Sequence, residues 1–227
     1  MHDVLVTGTD TGIGKTVIAA ALVKALRARG VRAVGFKPVE TGLGDGVPDS
    51  TLLQRASGEL LDLAMPLLQL PEPLAPAVAA ERAGTRLLTS EIERRIALLR
   101  RAGLTVIVEG AGGVMVPLAW ERGDAAPFYS VIDLAKRCGL AAIVVARAGL
   151  GTLNHVTLTV AALRHYGIPI DGVVLNGSGA DGPSVAEATN PETLARMVPG
   201  LRVIHVPHHP GDDPIGAAVP HVSALIS

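Results

Sequence analysis

Cysteine and aromatic side chains are nearly missing from this chain of 227 residues, which holds one Cys, one Trp, two Tyr and two Phe. A lone cysteine, Cys138, closes no internal disulfide, so the fold must rest on burial, and the usage fits a reducing compartment. Its place in a helical pattern reads as packing near a core rather than as a catalytic thiol. Aromatics at 2% leave no row of rings on which bases could stack, which argues against single-stranded nucleic acid as a ligand. An excess of either charge is missing too. The formal net charge is -1, and no polybasic arm offers a surface to a DNA backbone or an anionic membrane. Apolar runs such as AAIVVA (141–146) are far too short to cross a bilayer. The N-terminus runs almost at once into VLVTG, with no basic region and no cleavage pattern. The expectation is a soluble cytoplasmic protein with neither nucleic acid nor membrane as partner.

What is present is aliphatic. Hydrophobic residues make up 48% of the chain, mostly Ala, Val, Leu and Ile, enough for one substantial core and one domain over residues 1–227. Short β-branched runs recur at VLVT (4–7), AVGF (33–36), TVIVE (105–109), AAIVVA (141–146), GVVLN (172–176) and VIHV (203–206). They lack polar alternation, as parallel strands covered on both faces do. Helical patterns lie between most of them. Ile18, Ala21, Leu22, Ala25 and Leu26 share a face, and Gly30 supplies a stop. Ser90 with Glu93 matches a capping box, with Gly103 as the stop, and Ser130 with Asp133 begins another helix, ended near Gly139. A further helix is predicted over 153–166, ended by Gly167. Strand and helix alternating predict an α/β fold with a doubly wound, mainly parallel sheet flanked by helices. The proline-rich piece 66–76 reads as a surface loop.

Ligands of such sheets collect beyond the carboxyl ends of the strands. The segments just after the runs are GTDTGIGKT, KPVETG, EGAGG, RAGLGTLNH, NGSG and PHHPGD, so nearly all the glycine-rich, chemically competent stretches meet at one edge. The first differs from the usual phosphate loop, Gly-x4-Gly-Lys-Ser/Thr, because five residues separate Gly8 from Gly14. Its context is nevertheless that of a phosphate loop, after a strand and opening a helix. Backbone N–H groups would face an anion, Lys15 would reach terminal phosphates, and the Thr16 hydroxyl would sit on Mg2+.

Lysine is scarce, four residues against sixteen arginines. Lys24 and Lys136 fall in helical patterns and read as solvated, whereas Lys15 and Lys37 each follow a strand. Spacing alone leaves open whether Lys37 enters the crevice beside Lys15 or is a charge at a strand end. Glu109, at the end of its apolar run and before four small residues, is a candidate to help hold Mg2+. Asp49, before STLLQRAS, reads by itself as a helix N-cap. His155, His208 and His209 match no closed zinc motif, and no G-x-S-x-G elbow is present.

Taken in order, GTDTGIGKT, KPVETG, VEGAGGVMVPL, ARAGLGTLNH and the later Asn176 closely resemble dethiobiotin synthetases, whose first loop also has five residues between its glycines. The resemblance covers most of the chain. It implies a P-loop NTPase-like fold and the ATP-dependent ring closure of 7,8-diaminononanoate with CO2 to dethiobiotin. It implies that Gly12, Ile13, Gly14, Lys15, Thr16 and Val17 wrap the ATP phosphates, with Gly110, Ala111 and Gly112 close by. Thr16, Asp49 and Glu109 would surround Mg2+, Lys37 would act with Lys15 in catalysis, and Thr41 would touch substrate. Asn176, Val206, Pro207 and His208 would lie near adenine. The family works as homodimers, and Gly151, Thr152, Leu153 and Asn154 of the partner would receive the substrate carboxylate. Gly12 departs from members that carry Glu there, and VPHHPGDDP matches only loosely. A partitioning-type ATPase switch is the rival reading, but Asp10 stands where that class carries its signature lysine.

Overall fold

A computed structural model describes residues 2–44, 46–58, 61–121, 127–177 and 183–226. The chain opens with strand β1 (Val4–Gly8), helix α1 (Lys15–Ala28), β2 (Ala33–Phe36) and the short β3 (Val39–Thr41). Helix α2 (Asp49–Ser57), β4 (Leu68–Leu70), α3 (Pro76–Arg82) and α4 (Thr89–Arg101) follow. Next come β5 (Thr105–Gly113), β6 (Pro117–Trp120), β7 (Phe128–Ser130), α5 (Val131–Cys138), β8 (Ala141–Arg147) and α6 (Thr152–His165). The chain closes with β9 (Ile170–Asn176), α7 (Val185–Met197), β10 (Val203–Val206) and α8 (Pro214–Val222).

The six apolar runs are the six strands of one sheet, in the order β10-β9-β8-β1-β5-β2, with every pairing parallel. Alternate residues of each strand bury on opposite faces. Leu5, Val106, Val108, Val144 and Val173 pack beneath α4, α5 and α6, while Val4, Val6, Ile107, Ile143 and Val174 pack beneath α1, α2 and α8. Because both faces are covered, the strands read as continuous apolar runs. Parallel strands bring all six carboxyl ends to one edge, and the first glycine-rich loop leaves from the middle of it. Of the NGSG segment at that edge, Ser178 and Gly179 lie outside the described residues.

Helix ends depart from the sequence reading in places. Ser130 and Asp133 do begin α5, and there they form a capping box. Ser90 and Glu93 do not cap α4, whose N-cap is Leu88; Ser90 already lies inside the helix, and Glu93 faces Arg137 at 3.7 Å. Asp49 is the first residue of α2 rather than its cap, which is Pro48. Segment 66–76 is more than a surface loop. It contains β4, which pairs parallel with β3, and its end walls the cleft described below. Glu109 lies in mid-strand, because β5 runs on to Gly113, which pairs with Gly8 across an irregularity in the ladder. Among the described residues no helix is long and apolar enough to cross a membrane.

Candidate active site

At the carboxyl edge of β1, β2 and β5 a cleft of about 540 Å³ opens. Of the residues singled out from sequence, Gly12, Gly14, Lys15, Thr16, Val17, Lys37, Thr41, Asp49, Glu109, Gly110, Ala111 and Gly112 line it. Helix α1 starts at the cleft with Gly14 as its cap, in a left-handed conformation and without a side chain to satisfy the first N–H groups. That end of the helix is left for an anion. Gly14 is required twice over. Its φ is 88°, and a Cβ there would meet the Asn176 amide nitrogen at 2.2 Å.

Four charged side chains converge here. Lys15 folds back over its own loop, and its Nζ donates to the Asp10 carbonyl at 2.8 Å. Lys37 Nζ donates to Glu109 Oε1 at 2.9 Å and also to Asp49. Thr16 Oγ1 donates to the same Glu109 oxygen at 2.9 Å. This answers the open question about Lys37: it is a buried cation in the cleft, 8% exposed, and not a surface charge.

Burial acts to lower the Lys37 pKa, but Glu109 and Asp49 outweigh it and push the amine up to about 12. Lys37 is therefore held in its charged form at neutral pH. Burial also raises the Glu109 carboxyl, against the pull of Lys37. Glu109 accepts from two donors and Lys37 has a second carboxylate, so the pair is ionic. Lys15 is lowered, chiefly by burial; an arriving anion would favour its charged form.

The Thr16 hydroxyl and the carboxylates of Asp49 and Glu109 are hard oxygen donors able to hold a divalent cation. Glu109 Oε2 is buried and has no hydrogen-bond partner among the described residues. A buried carboxylate oxygen left in that state is costly unless something charged comes to meet it. The residues present therefore fit such an ion.

Other residues lie outside the cleft lining. Ile13 is buried, and its carbonyl accepts from Asn176 Nδ2 at 3.0 Å, so Asn176 braces the loop. The Val206 carbonyl accepts from Gly177 N–H at 2.8 Å, and Pro207 and His208 are exposed beside it. Gly151 caps α6. Thr152 lines a small separate hollow with Thr9, Asp10 and Arg147, and its buried hydroxyl has no partner among the described residues. Leu153 and Asn154 follow on α6, half-buried and exposed.

A family profile described as an AAA domain matches residues 2–214. The ATP-dependent dethiobiotin synthetase BioD of Anaeromyxobacter dehalogenans (strain 2CP-C) is 45% identical over 87% of this chain and 86% of its own length. The chain belongs to the dethiobiotin synthetase family. A synthetase of the same name from Mycobacterium marinum is 43% identical over 88% of the chain and 84% of its own length. Among solved structures, a ParA family ATPase from Chlorobium tepidum TLS aligns over 100% of this chain and 98% of its own, with a TM-score of 0.56 and 12% identity. The MinC:MinD complex of Aquifex aeolicus aligns over 99% and 94%, with a TM-score of 0.53 and 12% identity. At that identity the two structures share the P-loop sheet architecture and nothing more.

For a dethiobiotin synthetase, the sequence reading had missed one whole wall. Pro73, Leu74, Ala75 and Pro76 line the cleft too, together with Val39 and Leu52. The Pro-x-x-Pro spacing was visible, but nothing local tied it to β3.

Proposed function

We propose that this protein closes the ureido ring of dethiobiotin from 7,8-diaminononanoate, CO2 and ATP, as a cytoplasmic homodimer using Mg2+. The observation that carries the reading is the convergence of Lys15, Lys37, Thr16, Asp49 and Glu109 in one cleft, in a chain of this family. One amine of the diamine takes up CO2 and releases a proton, leaving a carbamate. A carbamate oxygen then bonds to the γ-phosphorus as the bond to ADP breaks. The second amine attacks the carbon of that mixed anhydride, phosphate leaves, a proton passes to solvent, and the ring is closed.

No step needs a protein nucleophile. What the reaction needs is two anions, carbamate and triphosphate, held in contact, and two buried ammonium groups offset their repulsion. Lys15 and the open N–H groups from Gly12 to Val17 bind the triphosphate, with Gly110 to Gly112 allowing close approach. Lys37, a fixed cation, faces the oxygens between which the phosphoryl group moves. Thr16, Asp49 and Glu109 would hold Mg2+, which when bound supplies further positive charge to the phosphate oxygens. Thr41 contacts the diamine, and Asn176 with Val206, Pro207 and His208 borders the adenine.

The homodimer is supported by what α6 presents. Its N-terminal turn, Gly151 to Asn154, does not line its own chain's cleft, and the neighbouring Leu150 is 98% exposed. In a dimer that turn would receive the substrate carboxylate of the other copy. The test is to incubate purified protein with ATP, Mg2+, bicarbonate and diamine and to follow dethiobiotin by mass spectrometry. Product that requires both ATP and diamine is expected. Folded, ATP-binding protein that makes none would overturn the reading.

A further inference from the structure

Glu40 is a second buried carboxylate near the cleft, and the chemistry above does not use it. It sits on β3, three residues after Lys37, and is 4% exposed. Among the described residues no lysine or arginine is paired with it. A carboxylate so placed persists only if its oxygens are well supplied with donors. Three donors reach it, from two other elements. Ser50 N–H donates to Oε1 at 3.3 Å. Ser50 Oγ donates to Oε2 at 2.7 Å, and Gln69 Nε2 donates to the same oxygen at 3.0 Å.

The pattern has a local cause. Helix α2 begins after Pro48, which has no side-chain oxygen to cap the first turn. Glu40 performs that service from a different strand, accepting the Ser50 N–H and placing negative charge at the positive end of the helix. The residue just before Ser50 is Asp49, whose carboxylate pairs with Lys37. Two bridges therefore join the same pair of segments: Lys37 to Asp49 in the cleft, and Glu40 to Ser50 behind it. The third bond, to Gln69, fixes β4, and Gly42 N–H reinforces that link by donating to Leu70 and Glu72 carbonyls, each at 3.0 Å. Beyond β4 the chain runs directly into the Pro73–Pro76 wall.

We infer that Glu40 is a positioning residue: by tying α2 and β4 to β3 it sets Asp49 against Lys37 and so prepares the cation-binding end of the cleft. The inference rests on the proposed function for its kinetic readout but not for its structural one. Residues that orient ion-binding ligands, when removed, lower metal affinity or activity by about 10- to 100-fold.

The experiment compares the whole protein with Glu40→Ala, Asp49→Ala and the double variant. Three quantities are measured: the Mg2+ dependence of fluorescent ATP-analogue binding, the Mg2+ dependence of turnover, and hydrogen exchange at the first turn of α2. Glu40→Ala is expected to raise the Mg2+ needed for half-maximal binding and turnover by about tenfold or more and to speed exchange at Ser50 to Leu52. In the Asp49→Ala background the same change should lose most of its effect on Mg2+ dependence, since Glu40 acts through Asp49. Glu40→Gln keeps one acceptor and should fall between wild type and Glu40→Ala; it serves if the alanine variant does not fold. Unchanged Mg2+ dependence in a folded Glu40 variant would overturn the inference, as would a full effect persisting without Asp49. If wild-type protein makes no dethiobiotin, the functional reading falls, and the binding and exchange measurements still decide Glu40.

Discussion

Lys37 keeps its proton because two carboxylates hold it, and this sets what its removal should do. Lys37→Ala leaves Glu109 and Asp49 without their common partner and takes one of two cations from the reacting anions. Turnover should fall roughly 100- to 1,000-fold, the scale of losing one preorganised electrostatic contact, while the circular dichroism spectrum stays that of a folded protein. Near-normal turnover would remove Lys37 from the mechanism. Gly14→Ala tests the loop itself. The left-handed backbone alone would cost about 1–2 kcal/mol, and the new methyl would collide with Asn176. ATP binding should be lost before the fold is. At Cys138, burial pushes the thiol up to about 11. The stability tied to this group is fully present below the ordinary value of 9.0 and is lost as pH rises through the folded value. Iodoacetamide at about pH 8 should therefore label the native protein far more slowly than the denatured chain.

The contrast between Ser90 and Ser130 shows what sequence could and could not tell about the elements. Both match Ser-x-x-acid. Both helices follow an extended residue, but at α5 that residue is Ser130 itself, whereas at α4 it is Leu88, so that Ser90 falls inside the helix. Ser130→Ala should cost about 1 kcal/mol in urea unfolding, and Ser90→Ala nearly nothing. The six strands of the main sheet were legible because burial on both faces writes an unbroken apolar run. The short strands β3, β4, β6 and β7 were not, because each breaks its apolar run with a polar residue or a proline. For the same reason the role of 66–76 as a cleft wall was hidden, since it depends on pairing between Val39–Thr41 and Leu68–Leu70, far apart in sequence. Glu40 was missed likewise. Its donors come from Ser50 and Gln69, and no local spacing joins the three.

In the proposed homodimer each active site would span two copies, the cleft from one and the α6 turn from the other. Thr152→Asp would put a negative charge where, in the proposed dimer, the substrate carboxylate would land, and should disable that half-site, leaving ATP binding in the cleft intact. Mixing this variant with Lys37→Ala, each nearly inactive alone, should restore activity, because a mixed dimer holds one site with both halves unaltered. Sites contained within single chains would show no such rescue. The sharpest test of the central claim, that the cleft holds carbamate and γ-phosphate together for direct transfer, is an isotope experiment on the wild-type enzyme. With C18O2 freshly supplied alongside diamine, ATP and Mg2+, the released phosphate should carry one 18O atom, passed from the carbamate oxygen that attacked phosphorus. Dethiobiotin formed together with unlabelled phosphate, under conditions where the carbonyl of the product retains 18O, would contradict it.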